Sequence, residues 1–255
     1  MNLADTFFIP ARPLSHVPLW VRAGLLLALS MQLGWHFLQA PVVAKAQPLD
    51  EPMPVDSYRL LSLNEPLAAA KYFNLWLQSY DTQPGISLSF RQLNYPRIAR
   101  WLDTILALDP QGQYPLLVAA HIYGSVAEAQ KKRFMMDYIY DRYRQQPARY
   151  WRWLAHAVIV AKYELNDNAL ALKYADALAA TKADPVPYWA RDMKIMVLED
   201  MGELAAAKVL AGGLIASGEI TDPYEIRFLG SKIEQLEQKL MKVQQGVEIS
   251  TENSE

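Results

Sequence analysis

The chain has no cysteine, which removes disulfides, thiolate zinc sites, iron–sulfur clusters and a cysteine nucleophile in one step. Glycine is scarce, eleven in 255 residues, about 4% against a usual ~7%. That argues against a turn-rich β-protein and against a glycine loop cradling phosphate. An excess of one charge is also missing. The 25 basic and 27 acidic residues leave a net charge of −2, which speaks against a nucleic-acid partner. Catalytic signatures are absent: there is no G-x-S-x-G, H-E-x-x-H, P-loop or G-x-G-x-x-G. Of the four histidines, His16 and His36 fall in the N-terminal stretch, and neither His121 nor His156 has a carboxylate at i+3 or i+4 for a helix-borne metal site. The expectation is a non-enzyme without metal or cofactor.

What is present begins with an apolar segment. Residues 23–44, AGLLLALSMQLGWHFLQAPVVA, hold no Asp, Glu, Lys or Arg, and about 20 apolar residues suffice for a helix to cross the ~30 Å hydrocarbon layer. Trp20 and Trp35 lie near its ends, where aromatic rings favour the membrane interface, and Pro18 and Pro41 bracket it. Arg12 and Arg22 precede it, whereas Asp50, Glu51 and Asp56 follow with Lys45 the only nearby base. The positive-inside rule then places residues 1–18 in the cytoplasm, a transmembrane anchor at 19–44 and the remaining chain outside. A cleaved signal peptide is the rival reading, since Ala44-Lys45-Ala46 forms an A-x-A pattern. Both export the body of the chain; in a bacterium that means the periplasm. Residues 45–65 read as a linker, stiffened by three prolines in QPLDEPMP.

From Pro66 onward apolar residues recur at helical spacing between short Pro, Gly or Asp breaks. Ile98, Leu102, Ile105 and Leu106 form one stripe, and Leu154, Val158, Ala161 and Leu165 another. Only 86–90, ISLSF, offers a short strand, and residues 81–94 read as a loop turning at Gln83-Pro84-Gly85. Blocks end at Pro110, Pro147, Pro185 and Pro223, spaced 37, 38 and 38. Tyr114, Trp151 and Trp189 each follow a block-ending proline by four residues, and Trp76 lies 38 before Tyr114. A fixed period of this length signals stacked helix pairs.

An aromatic opening a first helix, small residues after it and an alanine-rich second helix resemble the tetratricopeptide repeat. Trp151, Leu154, Ala155 and Val158 match the spacing of that family's first helix, with Ala169, Ala171, Ala175 and Ala177 as close-packing residues of the second. The period of 37 to 38 exceeds that family's 34, and Val118 and Met193 stand where it has small residues. The resemblance implies an all-α, right-handed solenoid of antiparallel helix pairs over 66–223 behind one transmembrane helix. A single span followed by such repeats also resembles inner-membrane proteins of Gram-negative bacteria. Residues 224–245 read as a capping helix and 246–255 as a disordered tail. Ile226, Leu229, Ile233, Leu236, Leu240 and Val243 are spaced 3, 4, 3, 4, 3, a heptad seam that either caps the last repeat or joins two copies.

The resemblance also implies a concave surface made by the first helices, with Arg149, Arg152, His156 and Lys194 facing it over an apolar floor. Arg152 and His156 are i and i+4, hence on one face. Residues 91–162 carry eleven bases against five acids (11 − 5 = +6), so an acidic or C-terminal peptide is the natural guest. The competing reading leaves these bases as solvated or locally paired charges. The expected function is a membrane-anchored scaffold docking a protein partner in envelope assembly or export. Alternatives are an enzyme or accessory subunit acting on cell-wall or exopolysaccharide polymer, with Glu164, Asp167 or Glu199 as its acid, and a self-associating structural protein.

Overall fold

A computed structural model describes residues 17–39, 44–181 and 186–252, with side chains to Gln245. The expected cytoplasmic segment up to His16, with Arg12, therefore lies outside the described residues, as do Pro41, Pro185 and the last three residues of the expected tail. Helix dominates, as an all-α reading requires. The chain divides into two compact units, 1–45 and 46–255.

In the first unit, Pro18 precedes α1 (Leu19–Leu38), and the Arg22 guanidinium donates to the Val17 carbonyl at 3.1 Å. None of its residues is buried, and leucines, Met31, Trp35 and Phe37 all stand exposed. At 1.5 Å per residue its 20 residues measure about 30 Å. Alone among the described helices, it is long and apolar enough to cross a membrane.

The second unit starts with a segment that is docked, unlike the free spacer expected at 45–65. Proline at 48, 52 and 54 removes amide donors, so no ladder can form. Side chains satisfy the carbonyls instead. Tyr80 donates to the Gln47 carbonyl at 2.5 Å, Arg97 to that of Leu49 at 2.6 Å and the Trp101 indole to that of Asp50 at 2.8 Å. Leu49 is buried, Glu51 pairs with Arg97 and Arg100, and a short helix, α2 (Val55–Leu61), follows.

The body continues as α3 (Pro66–Gln78), a two-stranded hairpin of β1 (Thr82–Gln83) and β2 (Ile86–Ser87), and α4 (Tyr95–Leu108). The hairpin turns at Pro84 and Gly85, where glycine takes φ 76°. The Asn94 side chain accepts from the Arg97 amide to start α4, and Ile98, Leu102, Ile105 and Leu106 are all buried. Next come α5 (Tyr114–Leu117), α6 (Ala129–Gln145), α7 (Pro147–Ile159) and α8 (Asn168–Ala179). Both α5 and α7 run on into π-helical turns, Val118–Ile122 and Val160–Glu164. Asn166, at φ 51°, and the capping Asp167 carboxylate turn the chain into α8.

The last elements are α9 (Tyr188–Arg191), α10 (Met193–Asp200), α11 (Leu204–Ala216) and α12 (Pro223–Glu252), with Gly202 at φ 80° ending α10. Contacts follow chain order: α3 with α4, α6 with α7, α7 with α8, α10 with α11 and α11 with α12. One core runs from Leu49 to Val197, and a smaller one gathers Ala207, Ala211, Leu229 and Leu236.

Several expectations need correction. Trp151 is core, but Tyr114 and Trp189 at the equivalent positions are exposed. Ala171 and Ala175 pack closely, while Ala169 faces out. Helix α12 continues to Glu252, into the segment expected to be disordered. Once nucleated, a helix gains a hydrogen bond per added residue, so polar composition alone does not stop it. Leu229, Ile233 and Leu236 of the heptad seam pack within the chain, leaving Ile226 and Val243 exposed at its ends.

Candidate functional site

The four bases expected to line a groove are mostly engaged elsewhere. Arg149 donates to the Pro110 carbonyl and to Gln111, bracing the turn after α4. Lys194 pairs with Asp176 at 2.9 Å. The His156 ring lies 4.3 Å from that of His121, and burial, then the charge of His121, hold its pKa below the ordinary histidine value. Arg152 alone remains available: it lies over the Trp151 ring at 4.6 Å and makes no ion pair among the described residues. Sequence spacing put Arg152 and His156 on one helix face, but it carried no information about acceptors arriving at Arg149 and Lys194 from Pro110, Gln111 and Asp176.

The expected acids are likewise occupied. Glu164 pairs with Lys132. Asp167 caps α8 and pairs with Arg133 at 2.6 Å; the Leu170 amide and then Arg133 hold its pKa low. Burial pushes Glu199 up, but Lys232 and Lys239 outweigh it and keep its pKa below the usual range. Among the described residues no cluster of three or more His, Cys, Asp or Glu could hold a metal ion.

A different site forms between the end of α7, the α9–α10 junction and α12. It is a cavity of about 410 Å³ with an almost wholly apolar wall. Its rim is Ile159, Tyr163, Trp189 and Phe228, each 44% exposed or more. Its walls include Met193, Met196 and the buried Ile195. Exposed large apolar side chains grouped around one hollow are uncommon on a solvated surface.

Polar contacts hold this rim in place. Lys162, buried and paired with Asp200, donates to the Tyr163 hydroxyl at 2.7 Å. Trp189 meets Trp151 edge to face at 5.4 Å, which links the groove to the ring under Arg152. Lys232 borders the cavity, but its charge is taken by Glu199.

One polar side chain of the cavity has no donor. Asp192, between α9 and α10, is only 6% exposed. Neither of its carboxyl oxygens, nor Glu225 Oε1, meets a hydrogen-bond donor. Burial foremost, then the Glu225 carboxyl, pushes the Asp192 pKa up to about 8, with the Arg191 guanidinium opposing. Two facing carboxyls can hydrogen-bond only when one keeps its proton. Nothing in the repeat pattern indicated this pair; the one sequence signal was an acid at 192 shortly before the apolar run 195–198.

Comparison with protein-family models, with curated proteins and with solved structures returned no match.

Proposed function

We propose that this protein is a membrane-anchored helical scaffold whose apolar groove docks a segment of a protein partner. In this reading α1 is a single span with its N-terminus in the cytoplasm of a Gram-negative cell, and α3–α11 form a periplasmic, tetratricopeptide-like stack of helix pairs capped by α12. The partner belongs to an envelope assembly or export complex. The observation that carries the reading is the 410 Å³ hollow ringed by exposed Ile159, Tyr163, Trp189 and Phe228. Such concave, apolar sites with few polar groups are where segments and ligands bind. The basic contact expected for an acidic guest shrinks to Arg152, which lies over the Trp151 ring that Trp189 meets edge to face. An enzyme acting on polysaccharide draws less support, because the carboxyls expected to act, Glu164, Asp167 and Glu199, are each paired with lysine or arginine.

The test is a crosslinking pull-down from solubilised membranes, with partners identified by mass spectrometry. The intact chain, Trp189→Ala with Phe228→Ala, and Arg149→Ala with Lys194→Ala would be compared. A partner lost only from the groove variant supports the reading. Loss only from the Arg149 and Lys194 variant moves the contact away from the groove, and recovery of no partner counts against a scaffold.

A further inference from the structure

The groove at α9, α10 and α12 carries buried acceptor oxygens that the chain itself leaves unmatched. Asp192 is more than nine-tenths buried, lines the cavity and receives no donor on Oδ1 or Oδ2; Glu225 Oε1 is equally bare. The charged groups nearby do not satisfy them. Lys232 is held by Glu199, and Arg191 lies over the Tyr188 ring at 5.5 Å with its own Nε lacking an acceptor. An unmet buried acceptor costs free energy, so the site is chemically incomplete without a donor.

The shape of the deficit narrows the guest. Once the pair gives up the proton it shares, its three acceptor oxygens match the three N–H bonds of an alkylammonium, whereas a hydroxyl brings one. The walls suit the rest of such a side chain, because the thioethers of Met193 and Met196 and the Phe228 ring can cover a four-carbon stem. The Trp189 ring also borders the cavity, and an aromatic face attracts a cation within about 6 Å of its centroid.

We propose that the groove recognises a lysine side chain of the docked partner segment, its stem against Met193, Met196 and Phe228 and its ammonium at the Asp192–Glu225 pair. This rests on the groove being a docking site, and it reverses the charge preference that a basic groove implied. The proton shared by the two carboxyls leaves to water as the ammonium arrives. Affinity therefore rises with pH up to the region where the pair is already ionised.

The test uses the full chain in lipid nanodiscs, titrated calorimetrically against empty discs. The probes are a short amidated peptide with one lysine between leucines, the same peptide with norleucine for lysine, and butylammonium. The lysine peptide should bind at least tenfold more tightly than the norleucine peptide at pH 8, with a smaller ratio at pH 6. Asp192→Asn should erase the ratio while leaving norleucine binding in place. Should that variant fail to fold, Glu225→Gln, which gives Asp192 a neutral donor, should lower the ratio. Equal binding of both peptides, or a ratio that survives these substitutions, overturns the lysine assignment but leaves a docking groove. Butylammonium binding as tightly as the lysine peptide also overturns it, making the site one for free amines. Failure of both peptides and of butylammonium to bind removes the docking reading itself.

Discussion

Asp192 shows how one residue links stability to pH. Its folded pKa, about 8, lies above the ordinary carboxylate value, so the folded chain keeps a proton that the unfolded chain releases. Below the ordinary value both states hold the proton and nothing is lost. As pH climbs from there through about 8, stability falls, and above 8 the full cost is present. Asp192→Asn removes that titration. Its melting temperature should match the parent near pH 4 and exceed it at pH 9 by the equivalent of about 2 kcal/mol, the scale of a buried unpaired polar group. Thermal unfolding at the two pH values checks this, and an unchanged slope in the variant would show that the pair is not buried as described. Glu199 has the opposite sign: its pKa is lowered, so its contribution is lost as pH falls through that value.

Single residues also mark how far sequence reading reached. Trp151 was legible as core because an aromatic at the start of a helix, with apolar residues three, four and seven positions on, has one face to bury. Trp189 repeats that position yet stands 53% exposed, since what covers a helix face depends on the neighbouring helix and not on the face. Arg149 and Lys194 were read as groove-lining charges; their acceptors, at Pro110 and Asp176, come from other elements.

At the level of elements, the helices themselves were the most legible feature. The α4 stripe and the block end at Pro110 are local, and the structure carries both, with α4 ending at Leu108. The docked segment at 46–54 was not legible. Its prolines announce an absence of amide donors, but the groups that satisfy its carbonyls, Arg97 and Trp101, lie about fifty residues away.

In helix α12, Leu229 and Leu236 of the heptad seam are fully buried against the small core shared with α11. Leu236→Ala should cost about 2–5 kcal/mol, the usual range for a buried leucine. The loss should be local. Amide hydrogen exchange should quicken in α11 and α12 while α4–α8 keep their protection, because the two cores are separate clusters. Uniform quickening would instead mean that all helices open as one unit.

At the scale of the whole molecule, the membrane reading rests on α1, which is long and apolar enough to span and has no buried residue. On the proposed topology, alkaline phosphatase fused to the C-terminus should be active in a Gram-negative host, since that enzyme folds only after export. Inactive fusion protein present at normal abundance would reverse the topology. Cleavage after Ala46 is separable by mass: a released chain would leave the membrane in carbonate, and an anchored one would stay.

The absence of cysteine, the scarcity of glycine, the 3.6-residue periodicity and one uncharged apolar stretch were enough to indicate helices and a candidate span. Each of these is a property of neighbours along the chain, and backbone hydrogen bonding within helices is equally local. The groove is different in kind. It needs Ile159 and Tyr163 from one helix end, Trp189 and Asp192 from a break between two others, and Phe228 from α12. Which carboxyl is left without a donor, and which lysine is already spent on Glu199, follows only from how those distant segments meet. Desolvation and pairing depend on distances through space, and only the tertiary structure sets them.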